Sequence, residues 1–371
     1  MKILMSESTT GMGGQELAVL LQCQGLLKRG HEVRLVLEPA SALHDMAVRR
    51  GLPVEAVSMK RRRYAGAILA FRRLLIRQQP AILHVNSSRD SWIGSLAARL
   101  MPDRPGVVRT RHISNPLKNS PTTRLLYRRL FDAVIVTGGE LTRRALVERD
   151  GLSAERVHAF PIGVDVNEFC PGAPDHDLRA ELGVDRSHRL VGIISYLRAY
   201  KGHEYFIEAA ARVLARRRDV VFLIVGEGPL EGVLRDLIAR RGIRDMVRML
   251  GFREDLLNVF RSLDAFVIPT VEADTIPQVL MQALAVGLPV VSTMVGSIPD
   301  VIADGETGFI VPPKDPDRLA ERIERLLDDA GLAEKVGRSG CRLVRERYSL
   351  DAMLAKLEGV YDATRLSSAG H

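Results

Sequence analysis

The sequence is poor in the features that mark several classes of protein. It has only three cysteines, Cys23, Cys170 and Cys341, which lie far apart and lack the spacing of a metal site or a disulfide framework. Aromatic residues make up 5% of the chain, and neither a stacking platform nor zinc-finger spacing accompanies them, so we expect no nucleic-acid partner. The N-terminal apolar run is too short for a signal peptide, and no run approaches the length of a membrane-spanning helix. We therefore expect a cytoplasmic protein, with peripheral attachment to the inner face of the cell membrane as an open alternative.

Charge is distributed unevenly along the chain. Residues 1–170 contain 26 Lys and Arg against 15 Asp and Glu, a net charge of +11, whereas residues 171–371 carry a net charge of −3. Such an asymmetry between halves predicts an anionic ligand or surface for the first half.

Short apolar runs alternate with longer amphipathic stretches in both halves. Runs such as "KILMSE", "AILHVN", "RLVGIISYL" and "DVVFLIVG" are typical of buried strands, and the stretches between them are typical of helices. This alternation predicts an α/β fold with parallel, doubly wound sheets. Because 371 residues exceed what one core usually supports, we predict two Rossmann-like domains that face each other across a cleft.

The domain boundaries follow from a break in the pattern. The stretch "PIGVDVNEFCPGAPDHD" (161–177) is rich in Pro, Gly and Asp and has no periodicity. We place an N-terminal domain at 1–165, a linker at 166–187 and a C-terminal domain at 188–350. A last helix at 351–371 is expected to cross back to the N-terminal domain.

In doubly wound folds, ligands bind beyond the carboxyl ends of the strands, so loops after strands are the candidate sites. "STTGMGGQE" follows the first strand, and Gly13 and Gly14 would let the backbone approach an anion at a helix N-terminus, although an ordinary tight turn has the same pattern. "SYLRAYKGHE" places Arg198 and Lys201 before a helix, a pattern that suits a diphosphate. His112, in "RTRHIS", also follows a strand, where a structural and a functional role are equally plausible.

Two Asp-x-Asp stretches do not suit a metal site. "DHD" (175–177) lies in the expected linker, and "DPD" (315–317) has the pattern of a helix N-cap followed by proline. We therefore predict no metal ligands.

A basic amphipathic stretch, "MKRRRYAGAILAFRRLLIR" (59–77), lies in the first half. It could dock on anionic lipid, or it could be an ordinary solvated helix packed on its sheet. The basic residues assigned to an acceptor or membrane side are Arg61, Arg62, Arg63, Arg73, Arg77 and Arg111.

Longer motifs resemble a known family. "ALAVGLPVVSTMVGSIPDVIADGETGFIVPPKDPDRLAERI" (283–323) follows the family pattern almost throughout, and "PIGVDVNEFCP" and "IVTGGELTRRAL" also fit it. From about residue 1 to 360 the chain resembles the retaining, nucleotide-sugar-dependent glycosyltransferases of group 1 (family 4), which have the GT-B architecture. The resemblance implies an acceptor-side N-terminal domain and a nucleotide-sugar-binding C-terminal domain.

The resemblance also implies residue roles. His112 would contact the donor sugar, and Arg198 and Lys201 would bind the diphosphate. The arginine usual in the family falls at Tyr196, so Arg198 is expected to take its place. The other residues expected at the donor site are Gly13, Gly14, Gly226, Glu227, Phe252, Arg253, Gln278, Val279 and Gln282.

The E-x7-E motif of the family aligns with "DTIPQVLMQ" (274–282). In this chain Asp274 and Gln282 replace the two glutamates of the motif. Asp274 keeps the charge that would contact sugar hydroxyls, and Gln282 keeps an acceptor oxygen for the ribose. Where the family commonly has a glycine, this chain has Pro277, which has no N–H. A hydrogen bond to phosphate there would therefore come from Gln278 or Val279. Glu272 is an alternative acid.

The implied activity is transfer of a hexose-type sugar to an acceptor hydroxyl with retention, in surface polysaccharide or lipopolysaccharide synthesis. The catalytic candidates are His112, Arg198, Lys201 and Asp274, and neither a metal nor another cofactor is expected. The expected partners are a nucleotide-sugar donor, a glycan or lipid-linked acceptor and an anionic membrane surface. The alternatives are a nucleotide-sugar epimerase and a non-catalytic sugar-nucleotide-binding protein. A dinucleotide oxidoreductase is disfavoured because G-x-G-x-x-G is absent.

Overall fold

The computed structural model describes the backbone of residues 1–60, 64–112, 117–272 and 276–369, and the side chains of the same ranges as far as residue 366. The chain divides into two compact units. The first comprises Met1–Ile162 together with Leu350–His371, and the second comprises Gly163–Ser349.

The first unit contains a seven-stranded parallel sheet in the order β3-β2-β1-β4-β5-β6-β7. Its strands are β1 Lys2–Glu7, β2 Glu32–Leu37, β3 Val54–Ala56, β4 Ile82–Val85, β5 Gly106–Arg111, β6 Ala133–Val136 and β7 Val157–Ala159. Its helices are α1 Gly14–Lys28, α2 Ala42–Arg49, α3 Tyr64–Gln78, α4 Ser88–Arg99, α5 Pro121–Leu125 and α6 Glu140–Arg144. Two π-helical turns, Leu126–Leu130 and Ala145–Arg149, continue α5 and α6, and a 3-10 turn spans Ala154–Arg156.

The strand order of this sheet reverses at β1. Strand β1 pairs with β2 on one side and with β4 on the other, so that Met5 lies between Leu35 and His84. The loops after β1 and β4 therefore leave the sheet at its topological switch point, where open α/β sheets bind ligands.

The second unit contains a six-stranded parallel sheet in the order β10-β9-β8-β11-β12-β13. Its strands are β8 Arg189–Ile194, β9 Val220–Val225, β10 Val247–Gly251, β11 Ala265–Ile268, β12 Val290–Thr293 and β13 Phe309–Val311. Its helices are α7 Leu178–Glu181, α8 His203–Arg216, α9 Glu231–Arg240, α10 Leu256–Ser262, α11 Gln278–Ala285, α12 Pro316–Asp328 and α13 Ala330–Arg347. Short 3-10 turns span Ala199–Lys201 and Ile298–Asp300. Here the switch point lies between β8 and β11.

The last helix, α14 (Leu350–Ala369), belongs to the first unit. Apolar residues of this helix pack into the core of that unit, with Tyr361 and Leu357 fully inaccessible. The hydroxyl of Tyr361 lies 2.7 Å from Nδ1 of His84, and Nε2 of His84 lies 2.6 Å from Oγ1 of Thr110. Both ring nitrogens of this buried histidine are therefore satisfied, as a buried polar group requires.

Several short elements lie outside the sequence-based prediction. Strands β3, β7 and β13 have three residues each, too few to show an alternation of polar and apolar residues. Residues 166–187, expected to be a linker, form part of the second unit and include helix α7. Within the described part of the chain, no helix combines the length and the apolar character needed to cross a bilayer.

Candidate functional site

The loop after β8, residues 195–202, is the first element at the switch point of the second unit. Its backbone packs on the turn that follows β9, where the N–H of Leu197 donates to the carbonyl of Glu227 at 2.9 Å. A Cβ atom on Gly226 would overlap with the carbonyl oxygen of Ser195, so the protein's own backbone requires this glycine. Gly226 was expected from the sequence to lie at the donor site, and its observed neighbour is this loop.

Arg198 and Lys201 both lie in this loop, and both lie over tyrosine rings. The guanidinium carbon of Arg198 is 5.0 Å from the ring centroid of Tyr196, and Nζ of Lys201 is 5.0 Å from that of Tyr200. These distances are typical of cation–π pairs. Arg198 is exposed, and its charge lies against the side chain of residue 196, the position where the family pattern expects an arginine. The two cations lie immediately before α8.

His203, the first residue of α8, anchors this loop and was not singled out by the sequence analysis. It is buried, and its Nε2 atom lies 3.0 Å from Oγ of Ser195. Burial lowers the pKa of His203 to about 4. The ring is therefore neutral near pH 7 and holds the two ends of the loop together. The only sequence signal was its place in "KGHE".

The loop after β11 lies directly beside the loop after β8. The N–H of Val271 donates to the carbonyl of Tyr200 at 2.9 Å, and the α-carbon of Gly202 packs against the carbonyl of Pro269. Gly202 has a φ of +74°, which favours glycine. The structure therefore joins the loop of Arg198 and Lys201 to the segment that leads into α11.

Helix α11 begins at Gln278, after Pro277 at the N-cap position. Nε2 of Gln278 donates to the carbonyl of Gly163 at 3.2 Å, whereas its buried Oε1 atom has no hydrogen-bond partner in the described structure. Val279 and Gln282 are partly buried. The first N–H groups of a helix favour a bound anion. Asp274, predicted to contact the donor sugar, lies outside the described residues, while the alternative acid Glu272 is exposed.

Three other predicted donor-site residues follow β9 and β10. Glu227 is exposed, and the side chain of Phe252 is 65% exposed. Arg253 instead forms ion pairs with Asp255 at 2.8 Å and with Glu181. These two carboxylates raise the pKa of Arg253 above its ordinary value. The guanidinium of Arg253 is thus fixed between two acids of its own unit.

The glycine loop after β1 is held by two carboxylates that the sequence analysis did not identify. Glu7 is buried at the end of β1 and accepts from the N–H of Thr9 at 2.9 Å and from the amide of Gln15. Glu16, in the first turn of α1, accepts from the hydroxyl of Thr9. The predicted ligand contacts, Gly13 and Gly14, are exposed, and a Cβ atom on Gly14 would meet open space. The available signal in the sequence for Glu7 was only a charged residue at the end of an apolar run.

Asp90 fixes the loop after β4. Its carboxylate accepts from the N–H groups of Asn86 at 2.8 Å and Ser87 at 2.9 Å, and from the hydroxyl of Ser6 at 3.0 Å. Burial raises the pKa of Asp90 to about 6, and the charge of Glu7 adds to this effect. The end of β1 and the loop after β4 are therefore connected at the switch point of the first unit.

His112 follows β5 and contacts the same loop. Its Nε2 atom lies 3.3 Å from Oδ1 of Asn86, and its buried Nδ1 atom has no hydrogen-bond partner in the described structure. Burial, assisted by the charge of Arg109, lowers the pKa of His112 to about 3. The ring is therefore neutral near pH 7. Because Nε2 donates to Asn86, Nδ1 is left as a hydrogen-bond acceptor.

Only some of the basic residues assigned to an acceptor or membrane side are exposed. Arg73 is exposed, and Arg77 is 62% exposed and pairs with Glu55 at 2.8 Å. Arg111, by contrast, is buried because β5 carries it inward, and its guanidinium donates to the hydroxyl of Tyr127 at 3.2 Å. Its assignment to an acceptor or membrane side stays a prediction. Arg61, Arg62 and Arg63 lie outside the described residues.

No group of three or more His, Cys, Asp or Glu side chains in the described ranges has an arrangement that could hold a metal ion.

Comparison with known proteins gives consistent matches over both units. Residues 175–342 match the family model described as glycosyl transferases group 1, and residues 12–168 match glycosyltransferase family 4. An α-D-kanosaminyltransferase of Streptomyces kanamyceticus is 32% identical over 267 residues, covering 67% of this chain and 68% of that protein. A D-inositol 3-phosphate glycosyltransferase of Corynebacterium efficiens is 28% identical, covering 84% and 77% respectively.

A similar solved structure is that of Anabaena HepE in complex with UDP, a protein also solved with UDP-glucose. The UDP complex has a TM-score of 0.86 at 21% identity, and the match covers 98% of this chain and 100% of HepE. At this identity the likeness establishes the fold, two Rossmann-like units in the GT-B architecture.

Proposed function

Because the chain belongs to the group 1, family 4 glycosyltransferases, we propose that it transfers a hexose-type sugar from a nucleoside diphosphate to an acceptor hydroxyl. We include retention of anomeric configuration in this proposal, since the motifs resemble those of retaining enzymes. The proposed setting is the synthesis of a cell-surface polysaccharide or lipopolysaccharide.

The observation that carries the proposal is the pair of joined loops at the switch point of the second unit. Arg198 and Lys201 lie in one loop, and the other leads into the N-terminus of α11. The hydrogen bond between Val271 and Tyr200 fixes the two loops together. Two cations together with the N–H groups of a helix N-terminus would suit a diphosphate, which carries negative charge on both phosphates.

The same groups would serve the chemical step. When the bond between the sugar and the diphosphate breaks, negative charge accumulates on the leaving diphosphate. Preorganised cations and N–H groups lower the barrier by stabilising that charge as it develops. Because Arg198 and Lys201 supply positive charge, the proposal expects turnover to persist in EDTA.

Other residues would orient the donor. The Nδ1 atom of His112 is a neutral acceptor that suits a sugar hydroxyl. Gln282 would accept hydrogen bonds from the ribose, and Asp274 would contact the sugar. Orientation of reacting groups is a large part of enzymatic rate enhancement.

A nucleotide-sugar donor is supported by the HepE complexes with UDP and UDP-glucose, which have the same fold. The relatives differ in the sugar or acceptor that their names specify, a kanosaminyl group in one and an inositol phosphate in the other. The proposal therefore leaves the sugar and the nucleotide base open.

The acceptor side is proposed to be the first unit, which contains most of the net positive segment 1–170. Helix α3 has exposed Leu69 and Ile76 beside the exposed cations Arg73 and Arg77. This combination suits contact with an anionic membrane, where a lipid-linked acceptor would be found.

A panel of nucleotide sugars in thermal unfolding would identify the donor, because only a tightly bound donor raises the melting temperature strongly. With that donor, Arg198→Ala and Lys201→Ala are each expected to reduce kcat/KM at least about 100-fold, as loss of an oxyanion-stabilising group typically does. Arg244→Ala, which removes an exposed cation elsewhere in the same unit, is the matched control and should change kcat/KM less than about twofold.

Unchanged turnover in both cation variants would refute the diphosphate assignment. Product analysis by NMR would test retention through the anomeric configuration of the new linkage. Conversion of the donor sugar without an acceptor would instead favour the epimerase alternative.

A further inference from the structure

A cavity of about 360 Å³ lies in the first unit, outside the switch-point loops described above. The segment 117–119, helix α5 with the π-helical turn after it, and residues 149–152 form its walls. Its volume falls in the range of small-molecule sites, which span about 300–1,000 Å³. The cavity is therefore large enough for a monosaccharide-sized ligand.

The walls of this cavity are strongly basic. Four cationic side chains line it, Lys118, Arg124, Arg128 and Arg149, together with a single carboxylate, Asp150. Arg149 forms a bidentate ion pair with Asp150, in which its Nε atom and one terminal nitrogen donate to the two carboxylate oxygens at 3.0 and 2.9 Å. In the part of the chain that the structure describes, no ion pair neutralises the other three cations.

Two of these guanidinium groups are positioned by neighbouring residues. Arg124 donates to the side-chain oxygen of Asn119 at 2.6 Å. Arg128 reaches across to Gly151, where a Cβ atom would lie 2.8 Å from its terminal nitrogen. Gly151 has a φ of +68°, so glycine suits both the turn and the close approach of Arg128. Positioned guanidinium groups present several donors in a fixed plane, the geometry that phosphate oxygens accept.

The cavity is also connected to strand β5. Tyr127 lines it, and the hydroxyl of Tyr127 accepts from the buried guanidinium of Arg111, the last residue of β5. The apolar part of the lining, Leu117 and Leu152, packs on the core of the unit. A lining with both cationic and apolar side chains suits a ligand with a sugar or polyol body and an anionic group.

We propose that this cavity binds the phosphate group of a phosphorylated sugar or polyol. Arg124 and Arg128 are the phosphate contacts, and Lys118 contributes further positive charge. That this ligand is the acceptor rests on the proposed function, whereas binding of the phosphate group does not.

The test is calorimetric titration with glucose 6-phosphate, with glucose and with vesicles containing phosphatidic acid. The variant Arg124→Gln with Arg128→Gln removes two charges from the cavity. Arg129→Gln is the matched control, because Arg129 is an exposed cation of the same π-helical turn that does not line the cavity. Arg198 and Lys201 are unchanged throughout, so the difference between variants isolates the cavity.

The protein is expected to bind glucose 6-phosphate at least tenfold more tightly than glucose. The double variant should weaken glucose 6-phosphate binding at least tenfold, and Arg129→Gln less than twofold. Equal affinities in the protein and the double variant, equal binding of glucose, or equal losses in both variants would overturn the proposal. Binding to phosphatidic acid vesicles alone would overturn it in favour of a lipid headgroup.

Titration of the nucleotide-sugar donor into the same variants separates this site from the proposed function. Loss of glucose 6-phosphate binding in the double variant supports the cavity even if no nucleotide sugar proves to be a donor. Intact donor turnover with unaltered glucose 6-phosphate binding in the double variant refutes the cavity and leaves the proposed function standing.

Discussion

Gly202 and Pro269 pack backbone against backbone at the switch point of the second unit. A Cβ atom on Gly202 would overlap with the carbonyl oxygen of Pro269. Two loops that are distant in sequence are thereby held together, one with Arg198 and Lys201 and the other leading to α11. The position of the two cations relative to α11 therefore depends on a residue without a side chain.

Gly202→Ala is expected to destabilise the protein and to weaken donor binding. The left-handed φ of +74° costs alanine about 1–2 kcal/mol, and the overlap with backbone adds about 1–3 kcal/mol of strain. Gly242→Ala is the control, because Gly242 has a φ of +68° but open space around a Cβ atom. Urea unfolding should show the larger loss for Gly202→Ala. Equal losses would mean that the contact with Pro269 carries no strain.

The sequence predicts the loops at the two switch points better than it predicts the residues that support such loops. Arg198 and Lys201 stand in a polar stretch between a strand and a helix, so local pattern identifies them. Asp90 could not be identified in this way, because one of its partners, Ser6, is 84 positions away in the chain. Glu7 ends a strand with three apolar residues at its centre, and its hydrogen bonds to the glycine loop become visible only when the folded loop places Thr9 and Gln15 beside it.

Helix α3 also shows that a local sequence pattern does not determine which residues are covered in the fold. Phe71 and Leu75 belong to its apolar face and are buried. Periodicity does not predict that Leu69 and Ile76 stay 53% and 43% exposed, since that depends on which neighbours cover the helix. Arg111 stands in a polar stretch, "RTRHIS", which does not distinguish it from an exposed arginine. It is nevertheless buried, because β5 is buried to its last residue.

Acid is expected to destabilise the fold through its buried histidines. Burial lowers the pKa of His84 to about 3 and that of His203 to about 4, whereas an unfolded histidine has a pKa of about 6.5. Below pH 6.5 these histidines bind protons in the unfolded chain but stay neutral in the folded chain. The free energy of unfolding therefore falls as pH falls. Each histidine contributes a slope of at most about 1.4 kcal/mol per pH unit.

The raised pKa of Asp90, about 6, acts in the opposite direction between about pH 4 and 6, because the folded state then holds the extra proton. Urea unfolding of the protein and of His203→Gln at pH 4.5 to 8.5 would measure the balance. The variant should lose less stability between pH 6.5 and 4.5, and the two slopes should coincide above pH 7. A steeper acid loss in His203→Gln would contradict a neutral buried ring.

Helix α3 is expected to mediate binding to anionic vesicles. Leu69→Asp with Ile76→Asp should reduce sedimentation with vesicles of phosphatidylglycerol and phosphatidylcholine several-fold, because it removes the exposed apolar residues and adds negative charge. Val233→Asp is the control, since Val233 is 58% exposed on α9 of the second unit. Added salt should weaken binding of the unaltered protein. Sedimentation that changes neither with salt concentration nor with the content of anionic lipid would contradict the membrane proposal.

Gln282→Glu restores the residue that the family pattern has at this position, and it tests whether the amide is tolerated or preferred. Both side chains offer an acceptor oxygen to a ribose hydroxyl, but the amide also donates. Gln282 is partly buried on α11, about one turn from the helix end proposed to meet the diphosphate. If the oxygen alone matters, KM for the donor should change less than about threefold, since the hydrogen bond persists.

Gln282→Leu removes the acceptor oxygen at similar size and provides the contrast. It should raise KM about fivefold to tenfold, the value of one hydrogen bond of about 1–1.5 kcal/mol. Both variants need an intact fold, which their melting temperatures would establish. A tenfold loss in Gln282→Glu with a tolerated Gln282→Leu would show that this chain requires the absence of charge at residue 282, and the ribose assignment would then be withdrawn.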